Sequence, residues 1–393
     1  MSNPVPARAG LTRGARGGRR VILLIFLIAG LLFFAGSTVP PLVINFMRPL
    51  PVGLSQTVST EPAATLGLDP AAWRDEVIPP ENATRPECQG RSFTEVPYSC
   101  LVIEGTSYFK QVTTTSATDK RSEINVDSAL TMYMFDAPVA EIQDHVRINR
   151  STAYPVPDPD SSMRLVIPDA DVGYDSSAFT RQGLQFFFPF PAERKSYDYF
   201  ERLTQESEPI DYVDELEHKG LKAYEFTHTI TPRNLAPDMS QAFIPGSASG
   251  STSTELTGRA DRFYSPEQLQ RCGHKPTDVV SVTSYFTVER TFWVQPDTGT
   301  ILDYRELTHV FFAGSDEEAR AFADDPSPTH TFFYSTMQWD EATTSAQTAL
   351  AEQGLQRLTL LQAFAYLAKA VAFFLTVWGV VLILVRRRVE ETP

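Results

Sequence analysis

Three cysteines, six histidines and a few clustered acids are the side chains of this 393-residue sequence with the most scope for chemistry. Cys88 and Cys100 flank a short polar segment, which predicts a disulfide between them and leaves Cys272 over; pairings that use Cys272 are the alternative. Cys272-Gly273-His274 offers one sulfur and one ring, too few donors for a metal site. The histidines are scattered at 145, 218, 228, 274, 309 and 330. His228 and His309 fall in strand-like segments and read as hydrogen-bonded strand residues rather than bases. Asp169, Asp171 and Asp175 have spacing suited to calcium. The stretch lacks a full ligand set and a closing Glu, so it reads as a solvated acidic loop. Asp214/Glu215 and Glu317/Glu318 read as turn and helix-surface residues, because acid–base work on a sugar needs carboxylates facing across a cleft. There is no G-x-S-x-G, no H-E-x-x-H and no phosphate-binding glycine loop. These patterns point to no enzyme, no cofactor and no metal.

The residues that could hold a ligand are aromatic. Gly183–Tyr199 (GLQFFFPFPAERKSYDY) carries Phe186, Phe187, Phe188 and Phe190. Strand side chains alternate faces, so these four cannot share one side. Pro189 and Pro191 also exclude a central strand. The stretch is expected to bend at a sheet edge, as a core corner or as the lip of an apolar groove. Phe292 and Tyr304 extend that groove from the segment the rest of the chain is organised around, Tyr285–Phe312. It reads as one long hairpin with a three-residue loop, Asp297-Thr298-Gly299. That register pairs Val294 with Leu302, Phe292 with Tyr304 and Phe286 with Val310, all on one face. It also sets Arg290 opposite Glu306 as a charge pair. A hairpin with one apolar face needs a cover.

The remaining elements follow from pattern. Residues 45–75 look irregular, with Trp73 as a first core anchor. Leu101–Lys110, Leu130–Phe135 and Arg164–Ile167 read as strands. Gln111–Asp127 is polar enough for a strand with a solvated face, and Asp136–Asn149 is ambiguous. Asp211–Ile230 forms a second hairpin through Lys219-Gly220. It places Tyr224, Phe226, His228 and Ile230 on one face and is stopped by Pro232. Gly246–Ser253 is a low-complexity loop. Ser265-Pro266 and Ser315 with Glu318 open short helices. Thr331–Trp339 is another aromatic strand, and Asp340–Leu361 reads as helix, with Gly354 as a kink point.

Two apolar runs bound this body. Val21–Val39 has no charge, and Tyr366–Val385 has Lys369 alone. Each is long enough to cross about 30 Å of hydrocarbon. Pro40-Pro41 is expected to end the first. Arg19 and Arg20 precede the first run and Arg386–Arg388 follow the second. The positive-inside rule then predicts both termini in the cytoplasm and the body outside. Ala35-Gly36-Ser37 resembles a cleavage site, so a cleaved signal peptide is the alternative for the first run. The net charge is −14, with +5 before Val21 and +1 after Val385, leaving −20 between. Such a body repels nucleic acid. The layout is thus a basic tail (1–20), a span (21–39), a β-rich extracytoplasmic body (40–339), a membrane-proximal helix (340–365), a second span (366–385) and a short tail (386–393).

Three blocks carry a resemblance. Gly183–Tyr199, Tyr212–Phe226 (Gly220-Leu221, Tyr224-Glu225-Phe226) and Tyr285–Glu306 (Glu289-Arg290-Thr291, Val294-Gln295-Pro296-Asp297-Thr298-Gly299), with the two flanking spans, resemble an actinobacterial two-pass envelope protein family of unsettled function, sometimes labelled PorA-like porin. Asn149-Arg150-Ser151-Thr152-Ala153 departs from that family's usual step by lacking its glycine. The resemblance implies a plasma-membrane protein with an extracytoplasmic domain and implies no catalytic residues. Asn82-Ala83-Thr84 and Asn149-Arg150-Ser151 match the glycosylation triplet, which in a bacterium is chance. The hairpin blocks also look similar to half-barrel carriers of lipoproteins and lipids. The expected fold is α+β, mainly β: a large antiparallel sheet, half-barrel-like, between two transmembrane helices. The expected role is non-enzymatic, with the plasma membrane, an envelope lipid or glycolipid, or other envelope proteins as partners. A porin-type channel or a pure docking scaffold is the alternative.

Overall fold

The computed structural model describes residues 12–167, 172–235 and 255–390. Asp169, Asp171, Gly246–Ser253 and the start of the basic tail lie outside them. The chain divides into a sheet body, Pro49–Ala351, and a helical unit formed by the terminal segments up to Arg48 and from Glu352 on.

The body is one open antiparallel sheet. Its strands are β1 (Ser55–Ser59), β2 (Ala63–Leu68), β3 (Val102–Ala117), β4 (Glu123–Met134), β5 (Ala137–Asn149), β6 (Ser161–Ile167) and β7 (Val172–Phe179). They continue with β8 (Tyr197–Phe200), β9 (Ser207–His218), β10 (Leu221–Asn234), β11 (Glu255–Arg259), β12 (Val279–Gln295), β13 (Thr300–Ala313) and β14 (Thr331–Gln338). The spatial order is β7-β6-β5-β4-β3-β2-β14-β13-β12-β10-β9-β8, with β1 beside β3 and β11 beside β12. Short helices α2 (Pro70–Arg74), α3 (Ala260–Phe263), α4 (Pro266–Cys272) and α5 (Asp316–Phe322) lie between strands. The helical unit takes α1 (Thr12–Met47) and most of α6 (Glu341–Glu390).

The sheet curls back on itself. Leu165 on β6 and Phe286 on β12 stand seven positions apart in the order, yet both line one cavity. The inner face so enclosed gathers Phe109, Leu130 and Met134 from one half with Phe226, Phe292 and Tyr304 from the other. A second core closes one end. There Tyr98, Leu101 and Phe311 cluster with Phe263 of α3 and Phe322 of α5, and Trp73 of α2 packs against them.

The β12–β13 hairpin keeps the expected pairs Phe292–Tyr304, Arg290–Glu306 and Phe286–Val310, but not Val294–Leu302. A register shift at Trp293/Val294 sets Val294 opposite Ile301 and Gln295 opposite Thr300. The loop therefore has four residues, Pro296–Gly299. A one-residue slip moves a side chain to the other face. Leu302 accordingly leaves the inner core and packs, fully buried, with Ala223 and Ala351. The turn is held from outside itself. Thr298 N donates to Gln295 Oε1 (2.8 Å), and Ala192 N donates to Pro296 O (2.9 Å). Gly299 has φ +68°, and a Cβ there would stand 2.7 Å from Pro189 O.

Four further expectations change. Residues 55–74 are ordered as β1, β2 and α2. The polar β1 (SQTVS) has little hydrophobic alternation to reveal it, whereas α2 carries a plain start signal: Asp69 Oδ1 accepts from Ala71 N and Ala72 N at 2.9 and 3.2 Å. Gln111–Asp127 is not one strand but the end of β3, a turn at 118–122 and the start of β4, and 137–149 is strand β5. Pro232 does not stop β10; the register shifts between Ile230 and Arg233, and a bulge dispenses with the missing amide. Pro40 and Pro41 do not end α1, which runs to Met47. Each proline removes one amide donor, but unwinding in a nonpolar setting would strand several more.

Within the helical unit α1 and α6 touch through small residues. A Cβ on Gly36 would lie 3.0 Å from Ala365 O and from Ala368 Cβ, and one on Gly379 would lie 2.9 Å from the Phe26 ring. Close approach at glycine and alanine is the usual basis of helix association in lipid. Both helices are long and apolar enough to cross a membrane. Their outward side chains include Leu23, Leu27, Phe33, Phe34, Phe373 and Trp378.

Candidate functional site

The inner face of the sheet encloses a cavity of about 190 Å³. Most of its wall is apolar: Phe109 on β3, Leu130, Met132 and Met134 on β4, Val139, Ala140 and Ile142 on β5, Leu165 on β6, Phe286 on β12, Val310 on β13, and Phe332, Phe333 and Met337 on β14. Alternation sends every second residue of each strand inward, so both halves of the curled sheet present hydrocarbon to the same space. An engineered apolar cavity of about 150 Å³ holds one benzene. The space here therefore suits roughly seven or eight carbons rather than a whole two-chain lipid.

One wall is charged. Glu201, Arg202, Arg290, Tyr304, Glu306 and Thr308 also line the cavity. Arg290 donates through Nε to Glu306 and through Nη1 to Glu201. Glu306 also accepts from the Tyr304 hydroxyl, and from Thr308 Oγ1 at 2.6 Å. Glu201 sits in the β8–β9 loop, where it also accepts from Leu203 N at 2.9 Å. Burial works against the Glu306 carboxylate, but Arg290 and the two hydroxyls outweigh it and hold its pKa down, at about 2. Burial and the neighbouring Glu306 push the Tyr304 phenol far above its ordinary value, so it stays a donor. His228 on β10 is fully buried, with Nδ1 3.3 Å from Arg290 Nη1 and no partner at Nε2. Burial first, then the Arg290 charge, lowers its pKa to about 4. It is neutral, and unlike the expected strand histidine it is satisfied on one side alone. His309 fits that expectation better: Nδ1 donates to Ala323 O (2.9 Å) and Nε2 accepts from Thr331 Oγ1 (3.1 Å).

A smaller cavity of about 60 Å³ lies beyond Arg202, Phe109 and Tyr304, which line both. The aromatic residues expected to form a groove are divided between these spaces. Tyr304 reaches both cavities. Phe186, Phe187 and Phe292 line only the smaller one. Phe188 lines neither; its ring packs on Tyr197, Phe226 and Phe292 in the core. Phe190 is half-buried and also lines neither. The larger cavity is instead built by β3 to β6 and β14, whose inward residues read in sequence as ordinary strand core. The Arg290–Glu306 pair was legible from register. Glu201 was not, because it arrives from a loop with no pattern of its own.

Cys88 and Cys100 are joined by a disulfide, and Cys272 is free and partly buried. Burial, then Glu318, pushes the Cys272 thiol up, so it is a poor nucleophile. Among the described residues no group of His, Cys, Asp or Glu could hold a metal ion.

A curled, open sheet with an internal apolar space, on a chain carrying two bilayer-length helices, defines a membrane protein with a separate folded body. Comparison with known proteins makes this specific. The family described as Porin PorA matches residues 22–381, and the chain belongs to that family. It is 29% identical to "Porin PorA" of Corynebacterium resistens, over 94% of this chain and 97% of that one. It is 26% identical to "Porin PorA" of Corynebacterium amycolatum, over 86% and 91%.

Proposed function

We propose that this is a non-enzymatic envelope protein whose sheet body, held outside the plasma membrane by two spans with cytoplasmic termini, takes the apolar end of an envelope lipid or glycolipid. The observation that carries this reading is the 190 Å³ cavity with its hydrocarbon lining on the inner face of the sheet. The hydrocarbon part of its wall gains by being covered with apolar groups rather than water. The arginines flanking both helices support the orientation. The cavity's volume sets the limit: it takes an apolar segment of roughly seven or eight carbons. Native mass spectrometry of the full chain released from lipid nanodiscs tests this. One bound amphiphile is expected, and it should be lost in Ala140→Phe/Val310→Phe, which fills the space. No bound species in the wild type, or equal binding in the filled variant, rejects the reading.

The names of the corynebacterial relatives favour a second reading, a channel. Against it stand the apolar outward faces of α1 and α6 and the unclosed sheet. A water-filled path needs polar lining or a closed barrel. Conductance of the pure protein in planar bilayers would restore it.

A further inference from the structure

Arg202 stands apart from the other charges around the cavity. Glu201 and Glu306 both direct their carboxylates at Arg290, and Glu306 is further solvated by two hydroxyls. Arg202, next in the chain, takes part in none of these contacts. Its Nη1 is buried and has no hydrogen-bond partner. Its side chain lines both the large apolar cavity and the small, more polar one. A guanidinium donor left without an acceptor in such a place is costly. Its planar fork matches a carboxylate or phosphate in paired hydrogen bonds. Two more buried donors of the same β8–β9 loop, Thr204 Oγ1 and Gln205 Nε2, also lack partners.

We infer that Arg202 is the head-group residue of the cavity, and that the site takes a single-chain amphiphile with an anionic head and an apolar tail of roughly eight carbons. The head sits at Arg202, between the two spaces, and the tail fills the larger one among Phe109, Leu165, Phe286 and Val310. This rests on the reading of the cavity as an amphiphile site and adds the chemistry of the head.

The test is equilibrium dialysis of radiolabelled octanoate, octyl phosphate, octanol and octyltrimethylammonium against the full chain in nanodiscs, with empty nanodiscs subtracted. Saturable binding of octanoate, octyl phosphate or both is expected, at least tenfold tighter than octanol. Arg202→Gln should weaken the anionic ligands roughly tenfold or more and leave octanol unchanged, while Arg202→Lys recovers part of the loss. Unchanged octanol binding also shows that the variant is folded. Equal binding of octanol and the anions, preference for the ammonium, or full anion affinity in Arg202→Gln overturns the head-group assignment while the cavity reading stands. Failure of all four ligands to bind removes both.

Discussion

Replacing Arg290 by Met removes the one cation that two buried carboxylates share. The side chain keeps similar bulk, so the change is electrostatic rather than a cavity. Glu306 shows what is at stake. Its pKa falls from 4.5 to about 2 on folding, with Arg290 the main favourable influence. At about 1.4 kcal/mol per tenfold, this amounts to roughly 3 kcal/mol of stability at neutral pH. The sign follows from the lowering: the contribution is complete above pH 4.5 and is lost as pH falls through 2. Glu201 loses its partner too, so breaking the cluster should cost about 3–5 kcal/mol at pH 7. Freed of Arg290, the Glu306 carboxylate becomes harder to ionise and takes up its proton at higher pH. The difference between variant and wild type should therefore shrink as pH falls from 7 toward 4. Urea unfolding of the full chain in nanodiscs, followed by tryptophan fluorescence at several pH values, measures this. Adding Glu306→Gln to the variant should return at least ~1 kcal/mol, because one stranded charge is gone. A cost below about 1 kcal/mol at pH 7, or a difference that does not change with pH, would refute the description of a shared buried cation.

Burial, opposed in part by its bond to the Ala323 carbonyl, lowers His309 from 6.5 to about 4, so its stabilisation is complete above pH 6.5 and lost as pH falls through 4. His309→Gln should remove up to roughly 3 kcal/mol of acid sensitivity in that window, seen as a flatter unfolding midpoint against pH. Gly299→Ala forces a left-handed φ on a side chain whose Cβ would meet Pro189 O at 2.7 Å; a loss of about 1–3 kcal/mol is expected by the same unfolding assay. Removing the Cys88–Cys100 link, which spans 12 positions, with two serines should cost about 2–3 kcal/mol at constant inner-face packing, read from the same curves.

How much of this was legible depended on whether the signal was local. The β12–β13 and β9–β10 hairpins announce themselves through Gly299 and Lys219-Gly220, and cross-strand register then yields the Arg290–Glu306 pair. The bulge at Trp293/Val294 has no sequence mark, and it alone sends Leu302 to the other face. Of the dense Phe186–Phe190 block, Phe186 and Phe187 line the small cavity, while Phe188 packs in the core and the Pro189 carbonyl abuts the hairpin turn. The cavity itself was invisible, because it arises where the sheet curls and strands seven positions apart in the order come face to face. Glu201 and Arg202 matter for where a patternless loop carries them. In the helical unit, hydropathy located both apolar runs, but proline chemistry learned from water-soluble helices put the end of α1 too early.

The proposed topology puts the sheet body outside the bilayer and both chain ends within the cell. Cysteine labelling in protoplasts tests it most directly, in a Cys272→Ser background with single cysteines at Asp119 in the β3–β4 turn, Lys219 in the β9–β10 turn, and Arg388 near the end of α6. A membrane-impermeant maleimide is predicted to label Asp119→Cys and Lys219→Cys on intact protoplasts, and Arg388→Cys only after lysis. Labelling of the two turns only after lysis, or protection of both turns by the bilayer itself, would contradict the account.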